Sequence, residues 1–520
     1  MTIISISFLL FLTGILLLYY LVPGRTQWTI LLGASFLFYF LAATPYTFIY
    51  VAVCFMAVWL AACRIETLQK RQEKRAAKSW YVSALLLVVC MLAALKYANF
   101  VLGNVSALIR LFSGSDIRLE VHFLASLGIS FYTLQMVGYL TDVYWGITES
   151  QKNPAKLLLF NIYFPQMISG PISRYGELKN QLYAAHPFEA AKIRMGIYRI
   201  LLGFFKKLVV SQQLIGLVDG IYGEPAVYNG LFVWIGTFLY VIQIYADFSG
   251  CMDIIMGASQ CFGIELPENF KLPFTSESIQ EFWQRWHITL GIWLKDYIMY
   301  PLLRSKTWSG LTKRVKKCFG KQAAKQLPVF LAMLVLWFAM GLWHGGGWNY
   351  IGEGIWFWLV IVLGQALKPG LQRLSQILHI RRESRLWHDF SCVRTTLIYA
   401  VGALFFKAGS LPAAIRMLGS ACNPAELGKS AERLIPELLA MDERVGTVRL
   451  CWSAISVLYG FLVMILLGKL EKKGKTADQW MEERPVVLRY LVVGFFLCGI
   501  LLFGAYGPGY SASEFIYGGF

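Results

Sequence analysis

Long apolar runs, each about the length of one membrane crossing, recur from one end of the chain to the other. An α-helix rises about 1.5 Å per residue, so about 20 apolar residues cross the ~30 Å hydrocarbon core of a bilayer. The runs predict about twelve crossings. They lie near residues 3–22, 28–44, 46–62, 81–102, 123–146, 195–219, 229–262, 328–343, 350–367, 393–408, 447–468 and 487–505. The pattern predicts an all-α polytopic membrane protein with about 11–13 transmembrane helices.

Two further stretches do not fit simple crossings. Residues 157–175 are apolar but are broken by two prolines and a glycine, and residues 281–303 mix four charges and a histidine into an aromatic-rich helical pattern ending at Pro301. Irregular or charged backbone at membrane depth is tolerated only where protein or water surrounds it. We therefore expect both stretches to be re-entrant segments that line a cavity. For 281–303 the pattern also favours an amphipathic helix lying at the cytoplasmic interface.

Composition agrees with a membrane protein. Apolar residues make up 57% of the chain and charged residues only 15%, with a mean hydropathy of +0.55. A water-soluble domain usually carries about 25% charged residues. The balance excludes a soluble enzyme, a fibrous protein and a disordered chain. No fixed-period repeat or long polar linker divides the sequence, so residues 1–520 are expected to form one membrane domain.

The net charge is +18, from 48 basic and 30 acidic residues, and the excess is concentrated between apolar runs. Basic clusters follow the third run (64–78), precede the eighth (304–325) and follow the eleventh (469–475). Twelve crossings that start outside place all three clusters in the cytoplasm, as the positive-inside rule requires. The basic balance therefore indicates membrane orientation, and we expect no nucleic-acid partner.

His344 stands where an apolar run meets three glycines, in the phrase GLWHGGGW (341–348). Each glycine weakens a helix by about 1 kcal/mol relative to alanine, and the freed backbone groups need partners inside a membrane. The missing side chains would also let a substrate approach the imidazole closely. From the residues alone, a catalytic histidine and a structural histidine bonded to a neighbouring helix are equally open interpretations.

His287 lies in the second irregular stretch, in FWQRWHITLGIWLKDY, where tryptophans and charges crowd together. An interfacial helix of this kind can also gate a tunnel. Asp247 lies in a third place of interest, the otherwise apolar QIYADFSGCMD (243–253). An ionisable group there costs about 2.5 to 3.5 kcal/mol on insertion scales, so it normally faces a partner or water. Asp247 is expected either to orient a histidine or to hold a helix break together.

Several motifs that would indicate other chemistry are missing. The chain has no P-loop, no GxSxG elbow, no HExxH and no DxD cluster on a polar loop. Nucleotide hydrolysis, serine-type acyl transfer and metal-dependent glycosyl transfer therefore lose support. We predict no metal site and no tightly bound cofactor.

A set of phrases resembles the membrane-bound O-acyltransferase family, and within it the bacterial alginate O-acetyltransferase-like branch. In family order they are LKYANF (95–100), LGISFYTLQMVGYLTDVYWG (127–146), FPQMISGPISRY (164–175), QIYADFSGCMDIIMGASQCFGIELPENFKLPF (243–274), SIQEFWQRWHITLGIWLKDYIMYPL (278–302), GLWHGGGW (341–348), FFKA (405–408) and FIYGGF (515–520). The resemblance implies N-terminal helices over 1–94, a catalytic core over 95–408 and C-terminal helices over 409–520. It also implies a central funnel or tunnel, with an acyl donor on the cytoplasmic side and a hydroxyl acceptor on the outer side.

The resemblance also assigns roles to residues. The family's main membrane histidine falls on His344 and its second histidine on His287, which we predict to be catalytic. The residues predicted to support them or to line the tunnel are Asp247, Arg285, Trp286, Lys295, Asp296 and Trp343. Two departures from the family pattern are IWFWLV (355–360), where relatives often carry a His-Gly pair, and FIYGGF at the end of the chain.

The hypothesis that follows is transfer of an acyl group, acetyl before others, to hydroxyls of an exported or cell-surface polysaccharide. The donor would be acetyl-CoA or another acyl thioester, and His344 the general base, because an imidazole with a pKa near about 6.5 accepts protons at neutral pH. His287 and Asp296 would shape the donor side. The resemblance further implies the inner membrane of a bacterial cell and a partner with a hydrolase-like domain outside it.

Two alternatives stay open on the sequence. A D-alanyl transferase of teichoic acids, supplied by an acyl-carrier protein, shares the tryptophan-histidine phrases. A secondary transporter or lipid-linked glycan flippase, from a different class, would also explain many helices and buried charges, although such proteins usually show paired inverted halves.

Overall fold

The computed structural model describes residues 1–123, 127–445 and 447–506, and the side chains of these except within 438–453. The regular elements in this part of the chain are helices, together with one isolated antiparallel bridge between Phe270 and Trp286. The all-α prediction is confirmed. The terminal phrase FIYGGF (515–520) lies outside the described residues.

The helices are α1 (Ile6–Leu21), α2 (Gln27–Ala42), α3 (Phe48–Lys70), α4 (Lys74–Ser113), α5 (Ile129–Tyr144), α6 (Pro154–Ile162), α7 (Tyr175–Leu182), α8 (Ala190–Phe205), α9 (Gln212–Gly223), α10 (Leu231–Cys261), α11 (Ile279–Arg285), α12 (Ile288–Leu294), α13 (Tyr300–Arg304), α14 (Lys306–His344), α15 (Trp348–Ile377), α16 (Arg385–Lys407), α17 (Leu411–Cys422), α18 (Pro424–Val445), α19 (Thr447–Lys472), α20 (Ala477–Glu482) and α21 (Val486–Phe503). Short π-helical segments, Lys206–Ser211 and Lys295–Met299, join α8 to α9 and α12 to α13.

In the described part of the chain, nine helical stretches are long and apolar enough to cross a membrane. They are Pro45–Lys70, Lys74–Ser113, Ala190–Gly223, Leu231–Cys261, Lys306–His344, Trp348–Ile377, Arg385–Lys407, Ala454–Lys472 and Val486–Phe503. Each of the twelve predicted crossings contains a helix. The three outside this group, α1, α2 and α5, have 16 residues each. A helix of that length spans only about 24 Å, less than the hydrocarbon core.

The short helix α5 forms the centre of the fold. Every residue from Ile129 to Val143 is buried, on all faces of the helix, whereas the long spans α4 and α21 expose most of their apolar side chains. A helix that buries polar residues such as Gln135 and Asp142 as well as its apolar ones is packed by protein on every side. The contrast separates a protein-enclosed centre from an outer layer of helices suited to contact with lipid.

Glycines set the closest helix packing, between α8 and α10. A Cβ built on Gly203 would lie 2.5 Å from the Gly250 carbonyl oxygen, and one built on Gly257 would lie 2.5 Å from that of Gly196. Small residues let helix backbones approach in this way inside membranes. The close contact brings the π-helical segment 206–211 against the middle of α10.

The first irregular stretch is non-helical in the middle, as its prolines and glycine predict, while its re-entrant, cavity-lining role stays a prediction. Helix α6 ends at Ile162, α7 begins at Tyr175, and the residues from 163 to 174 between them are not helical. All but two of these twelve residues are buried. Non-helical backbone is therefore enclosed by protein, as expected for a chain within a membrane.

The second irregular stretch differs from the amphipathic helix that its periodicity favours. Helix α11 ends at Arg285, and His287 takes a left-handed conformation (φ 46°, ψ 51°) before α12 begins. The backbone N–H of Lys271 donates to the Arg285 carbonyl (2.9 Å), and that of Ile288 donates to the Asn269 carbonyl (3.1 Å). These tertiary hydrogen bonds override the local helical pattern. The pattern also does not end at Pro301, because that residue lies in the first turn of α13.

The basic segment before the eighth predicted crossing is helical rather than a loop. Helix α14 starts at Lys306 and contains Pro328, where the predicted crossing began; its helical geometry is interrupted at Gly320 (φ 83°, ψ 179°). Lysine, arginine, alanine and glutamine favour helix, and the glycine permits the change of direction. Residues 306–319 therefore form a helix of their own, which meets the helix that ends at His344 at a kink at Gly320.

Candidate functional site

The structure brings the two predicted catalytic histidines into one buried cluster. His344 is the last residue of α14 and His287 directly precedes α12, and they are 2% and 1% exposed. Trp343 lies between them, with its ring centroid 5.3 Å from that of His287 and 5.2 Å from that of His344. Phe248 packs edge-on against His287 and Phe406 against His344, at 4.8 and 5.1 Å. Protein, not lipid, surrounds both imidazoles.

The end of α14 is held by two side chains of α4. Lys96 Nζ donates to the Trp343 carbonyl (2.5 Å) and to Ser130 Oγ (2.9 Å), and the Tyr97 hydroxyl donates to the Leu342 carbonyl (2.7 Å). The last carbonyls of a helix have no partner within it, and a cation is favourable at that end of the helix dipole. Lys96 and Tyr97 therefore fix the helix end that carries His344.

Lys96 and Tyr97 fall within the family phrase LKYANF (95–100), and the sequence pattern assigns no role to either of them. A signal was present, since Lys96 is an ionisable residue inside the apolar run 81–102. Such residues usually face the protein interior and a partner.

Gly345 and Gly346, directly after His344, lie close to protein side chains. A Cβ on Gly345 would lie 2.4 Å from a ring carbon of Tyr350, and one on Gly346 would lie 3.0 Å from the Cβ of Phe100. The Tyr350 ring in turn packs on Phe406 at 5.2 Å. A protein ring therefore occupies the space beside Gly345, whereas Gly346 is exposed, and room for substrate beside it stays a prediction.

Asn269 organises the chain break at His287. Its Oδ1 accepts hydrogen bonds from the backbone N–H (3.0 Å) and hydroxyl (2.9 Å) of Thr289, and lies 3.4 Å from His287 Nδ1. The asparagine is fully buried. A left-handed conformation at a residue other than glycine is sterically unfavourable and persists only when its surroundings enforce it. Asn269 is a third residue, after Lys96 and Tyr97, to which the sequence pattern assigns no role.

A charged cavity of about 360 Å³ reaches this break from one side. Asn269 and Ile288 form part of its wall, and the neighbouring wall carries the charged residues Arg199, Lys206, Asp253, Glu268, Lys271, Glu471, Lys475 and Asp478. Lys475 belongs to the basic cluster 469–475, which the charge pattern predicts to be cytoplasmic. Asn269 lies in this wall and its Oδ1 is 3.4 Å from His287 Nδ1, so its side chain links the cavity to the histidine ring.

Asp247 takes part in a buried ion pair at a helix break. Its Oδ1 accepts hydrogen bonds from Lys207 Nζ and Ser211 Oγ, both in the π-helical segment 206–211. Asp253, one turn and a half further along α10, accepts in the same way from Lys206 (2.6 Å) and Arg199 (3.2 Å). The contacts of Asp247 correspond to the second of the two roles left open by the sequence, holding a helix break together.

The other predicted support residues lie along 281–303. Arg285 donates to Thr275 (2.8 Å) and pairs with Glu281, while Trp286 is buried in an aromatic cluster. Asp296 pairs with Arg174, which directly precedes α7, so an ion pair joins the two irregular stretches.

Lys295 is half-buried beside Asp296 at the start of a π-helical turn. Trp343 is the predicted support residue that touches both histidines. Among the residues with described side chains, no three His, Cys, Asp or Glu are grouped closely enough to hold a metal ion.

Comparison with known proteins agrees with this architecture. The sequence pattern of the membrane-bound O-acyltransferase family matches residues 149–313. The probable alginate O-acetylase AlgI of Pseudomonas aeruginosa is 32% identical over 416 residues, 79% of this chain and 73% of that protein. The peptidoglycan O-acetyltransferase of Helicobacter pylori is 27% identical over 390 residues, 69% of this chain and 67% of that protein.

A third relative is the teichoic acid D-alanyltransferase of Bacillus subtilis, which is 30% identical over 241 residues, 45% of this chain and 58% of that protein. Each relative named here is an acyl-transferring enzyme by its description, so the transporter and flippase alternatives do not hold. This multi-pass membrane protein belongs to the membrane-bound O-acyltransferase family and is an acyltransferase.

Proposed function

We propose that the enzyme moves an acyl group, acetyl before others, from a cytoplasmic thioester to hydroxyls of an exported or cell-surface polysaccharide, with His344 as the general base. The observation that carries this proposal is the buried pair of histidines joined by Trp343. His344 stands at a fixed helix end, and His287 adjoins a cavity wall through Asn269. A site shielded from lipid and water suits transfer between two substrates that meet within the protein.

The chemistry requires one proton acceptor. The acceptor hydroxyl oxygen forms a bond to the acyl carbon while the imidazole of His344 takes the hydroxyl proton. The acyl carbon–sulfur bond then breaks, and the thiolate receives the proton back from the imidazolium. Such proton transfer contributes roughly 10² to 10⁴ in rate, and holding both substrates in one enclosed site supplies proximity.

The charged cavity is the proposed donor side. Among the cations in its wall, Arg199 pairs with Asp253 and Glu268 and Lys206 pairs with Asp253, whereas Lys271 forms no ion pair with a described residue. A cation near the mouth suits acetyl-CoA or a phosphorylated carrier, both of which bring phosphate groups to the site. His287 and Asp296 would position the donor rather than accept the proton.

The acceptor class rests on the relatives. The matches to the alginate and peptidoglycan O-acetylating enzymes extend over 79% and 69% of this chain, against 45% for the teichoic acid D-alanyltransferase. The longer matches favour acetyl transfer to a polysaccharide. D-alanyl transfer to teichoic acid is the second candidate, and an extracytoplasmic hydrolase-like partner and an inner-membrane location remain part of the proposal.

The test is labelling of surface polymers in cells that produce the wild type, His344→Ala or His379→Ala. His379 is exposed and serves as the matched control. We expect labelled acetate in surface glycan with the wild type and the control, and none with His344→Ala at equal membrane abundance. Labelled D-alanine in place of acetate would select the second candidate. Retained transfer by His344→Ala would remove the base assignment.

A further inference from the structure

A second cavity, of about 580 Å³, lies on the outside of the helix assembly, between α10, α16, α19 and the segment 272–275. Its wall is formed by Val210, Phe238, Val241, Ile242, Tyr245, Leu272, Pro273, Phe274, Thr275, Thr396, Phe461, Met464, Ile465, Gly468, Lys469 and Lys472. We call it the lateral groove. Apart from the two lysines and two threonines, its lining is carbon-rich and suited to a hydrocarbon chain.

The lateral groove opens toward the bilayer. Phe238 on α10 is 37% exposed, and Phe461 and Ile465 on α19 are 49% and 43% exposed. Both helices are among the candidate membrane spans. Apolar side chains with this exposure on a spanning helix face lipid, so a lipid chain can enter the groove sideways.

Charge is concentrated at one end of the lateral groove. Lys469 and Lys472 end α19 and are exposed, and no carboxylate is among the residues described in its wall. This end belongs to the basic cluster 469–475, which the charge pattern predicts to be cytoplasmic. Lysines beside an apolar surface at that depth attract the phosphate of an anionic lipid.

We propose that the lateral groove binds one anionic phospholipid of the cytoplasmic leaflet, with an acyl chain in the groove and its phosphate between Lys469 and Lys472. A neutral phospholipid fills the same apolar volume but presents a headgroup of zero net charge to the two lysines. The groove should therefore select by headgroup charge rather than by chain alone.

The bound lipid would also support the donor side of the active site. The segment 269–275 separates the two cavities: Asn269, Phe270 and Lys271 line the charged cavity, while residues 272–275 line the lateral groove. At the boundary Leu272 takes a left-handed conformation (φ 48°, ψ 56°), which needs support from its surroundings. A lipid packed against residues 272–275 would hold this segment, and with it Asn269, in place. This coupling rests on the proposed function, whereas lipid binding does not.

The binding test uses the full chain in nanodiscs of phosphatidylcholine containing a minor fraction of phosphatidylglycerol. Lipids retained after mild detergent extraction are counted by native mass spectrometry. We expect phosphatidylglycerol to be retained preferentially by the wild type and by Lys473→Ser, a lysine of the same cluster outside the groove wall. Lys469→Ser/Lys472→Ser should retain about tenfold less. Equal retention of both lipids, or no change in the double variant, would overturn the proposal.

A second variant tests the groove itself. Ile465→Trp adds a large side chain at a partly exposed position of the groove wall and should lower retention without changing the lysines. Acyl transfer is then measured in nanodiscs with and without phosphatidylglycerol. Selective binding with equal transfer in both would discard the coupling and keep the site. Selective binding with no transfer in either would count against the proposed function alone.

Discussion

The two histidines stand at chain breaks that are built in opposite ways. At His344 the helix ends where three glycines follow in the sequence. Lys96 and Tyr97 of α4 donate hydrogen bonds to the last carbonyls of that helix. At His287 no glycine marks the break, and a left-handed histidine is held by the buried amide of Asn269 and by backbone hydrogen bonds from the same segment. The first break is visible in a sequence, and the second is imposed by tertiary structure.

The two histidines also differ in the step of the reaction that each can serve. His344 ends a long helix whose last carbonyls are fixed, so its ring can be held in one position during proton transfer. His287 directly precedes Ile288, which forms part of the wall of the charged cavity, so we expect an occupant of that cavity to act on its position. We therefore expect substitutions at the His344 break to lower kcat and those at the His287 break to raise the KM for the donor.

The largest expected effect comes from the histidines themselves. His344→Ala should lower kcat by roughly 10² to 10⁴ because the proton acceptor is lost. His287→Ala should lower activity less and act mainly on the KM for the acyl thioester. Initial rates of purified enzyme over a range of donor concentrations measure both constants. Equal losses of kcat in the two variants would show that the histidines work as one unit and would end the division of roles.

Substitution of Lys96 tests whether the helix end at His344 needs the hydrogen bond from Lys96 to the Trp343 carbonyl. Lys96→Met removes a charge-assisted hydrogen bond from the Trp343 carbonyl, leaving a buried acceptor without its donor, at a cost of about 1 to 3 kcal/mol. A small displacement of a catalytic group can cost up to about 10² in rate, so kcat should fall strongly with little change in KM.

The control for Lys96→Met is Lys78→Met, an exposed lysine on the same helix α4. Lys96→Arg keeps a cationic donor at the position and should recover part of the lost kcat. Wild-type kcat in Lys96→Met would show that the helix end holds its position without this contact.

Asn269 tests the other break. Asn269→Ala removes the acceptor of two Thr289 hydrogen bonds, but the backbone hydrogen bonds from Ile288 and Lys271 remain. We expect the donor KM to rise by about tenfold, the equivalent of roughly 1.4 kcal/mol, with kcat less affected. Thr289→Ser keeps both hydrogen bonds to Asn269 and the one that its hydroxyl accepts from the Ile172 backbone N–H, and should leave the donor KM close to that of the wild type. A fall in kcat at unchanged KM would place Asn269 with the proton-transfer step instead.

Much of this architecture follows from the sequence because its causes are local. The lengths of apolar runs, the prolines and glycine of 157–175, and the histidine followed by glycines each act through their own stretch of chain. The break at His287 depends on other causes. Asn269 contacts 286–289 only after the chain has folded back, and the helical periodicity of 281–303 gives no sign of it. The hydrogen bond from Lys96 to the Trp343 carbonyl joins residues 247 positions apart. Its one sign in the sequence is a lysine within an apolar run.

The smallest expected changes in rate come from alanine substitutions of the glycines after His344, and they distinguish a packing role from contact with the substrate. The methyl group of Gly345→Ala would collide with the Tyr350 ring at 2.4 Å, whereas that of Gly346→Ala meets the Phe100 side chain at 3.0 Å. If the glycines serve packing, Gly345→Ala should lower kcat several-fold, since overpacking costs about 1 to 3 kcal/mol, and Gly346→Ala should lower it less. Adding Tyr350→Leu, which removes the ring that the new methyl group meets, should restore part of the activity of Gly345→Ala. Steady-state rates over a range of acceptor concentrations decide between packing and substrate contact. If both alanine variants raise the acceptor KM equally, and Tyr350→Leu does not relieve that rise, the glycines face the substrate.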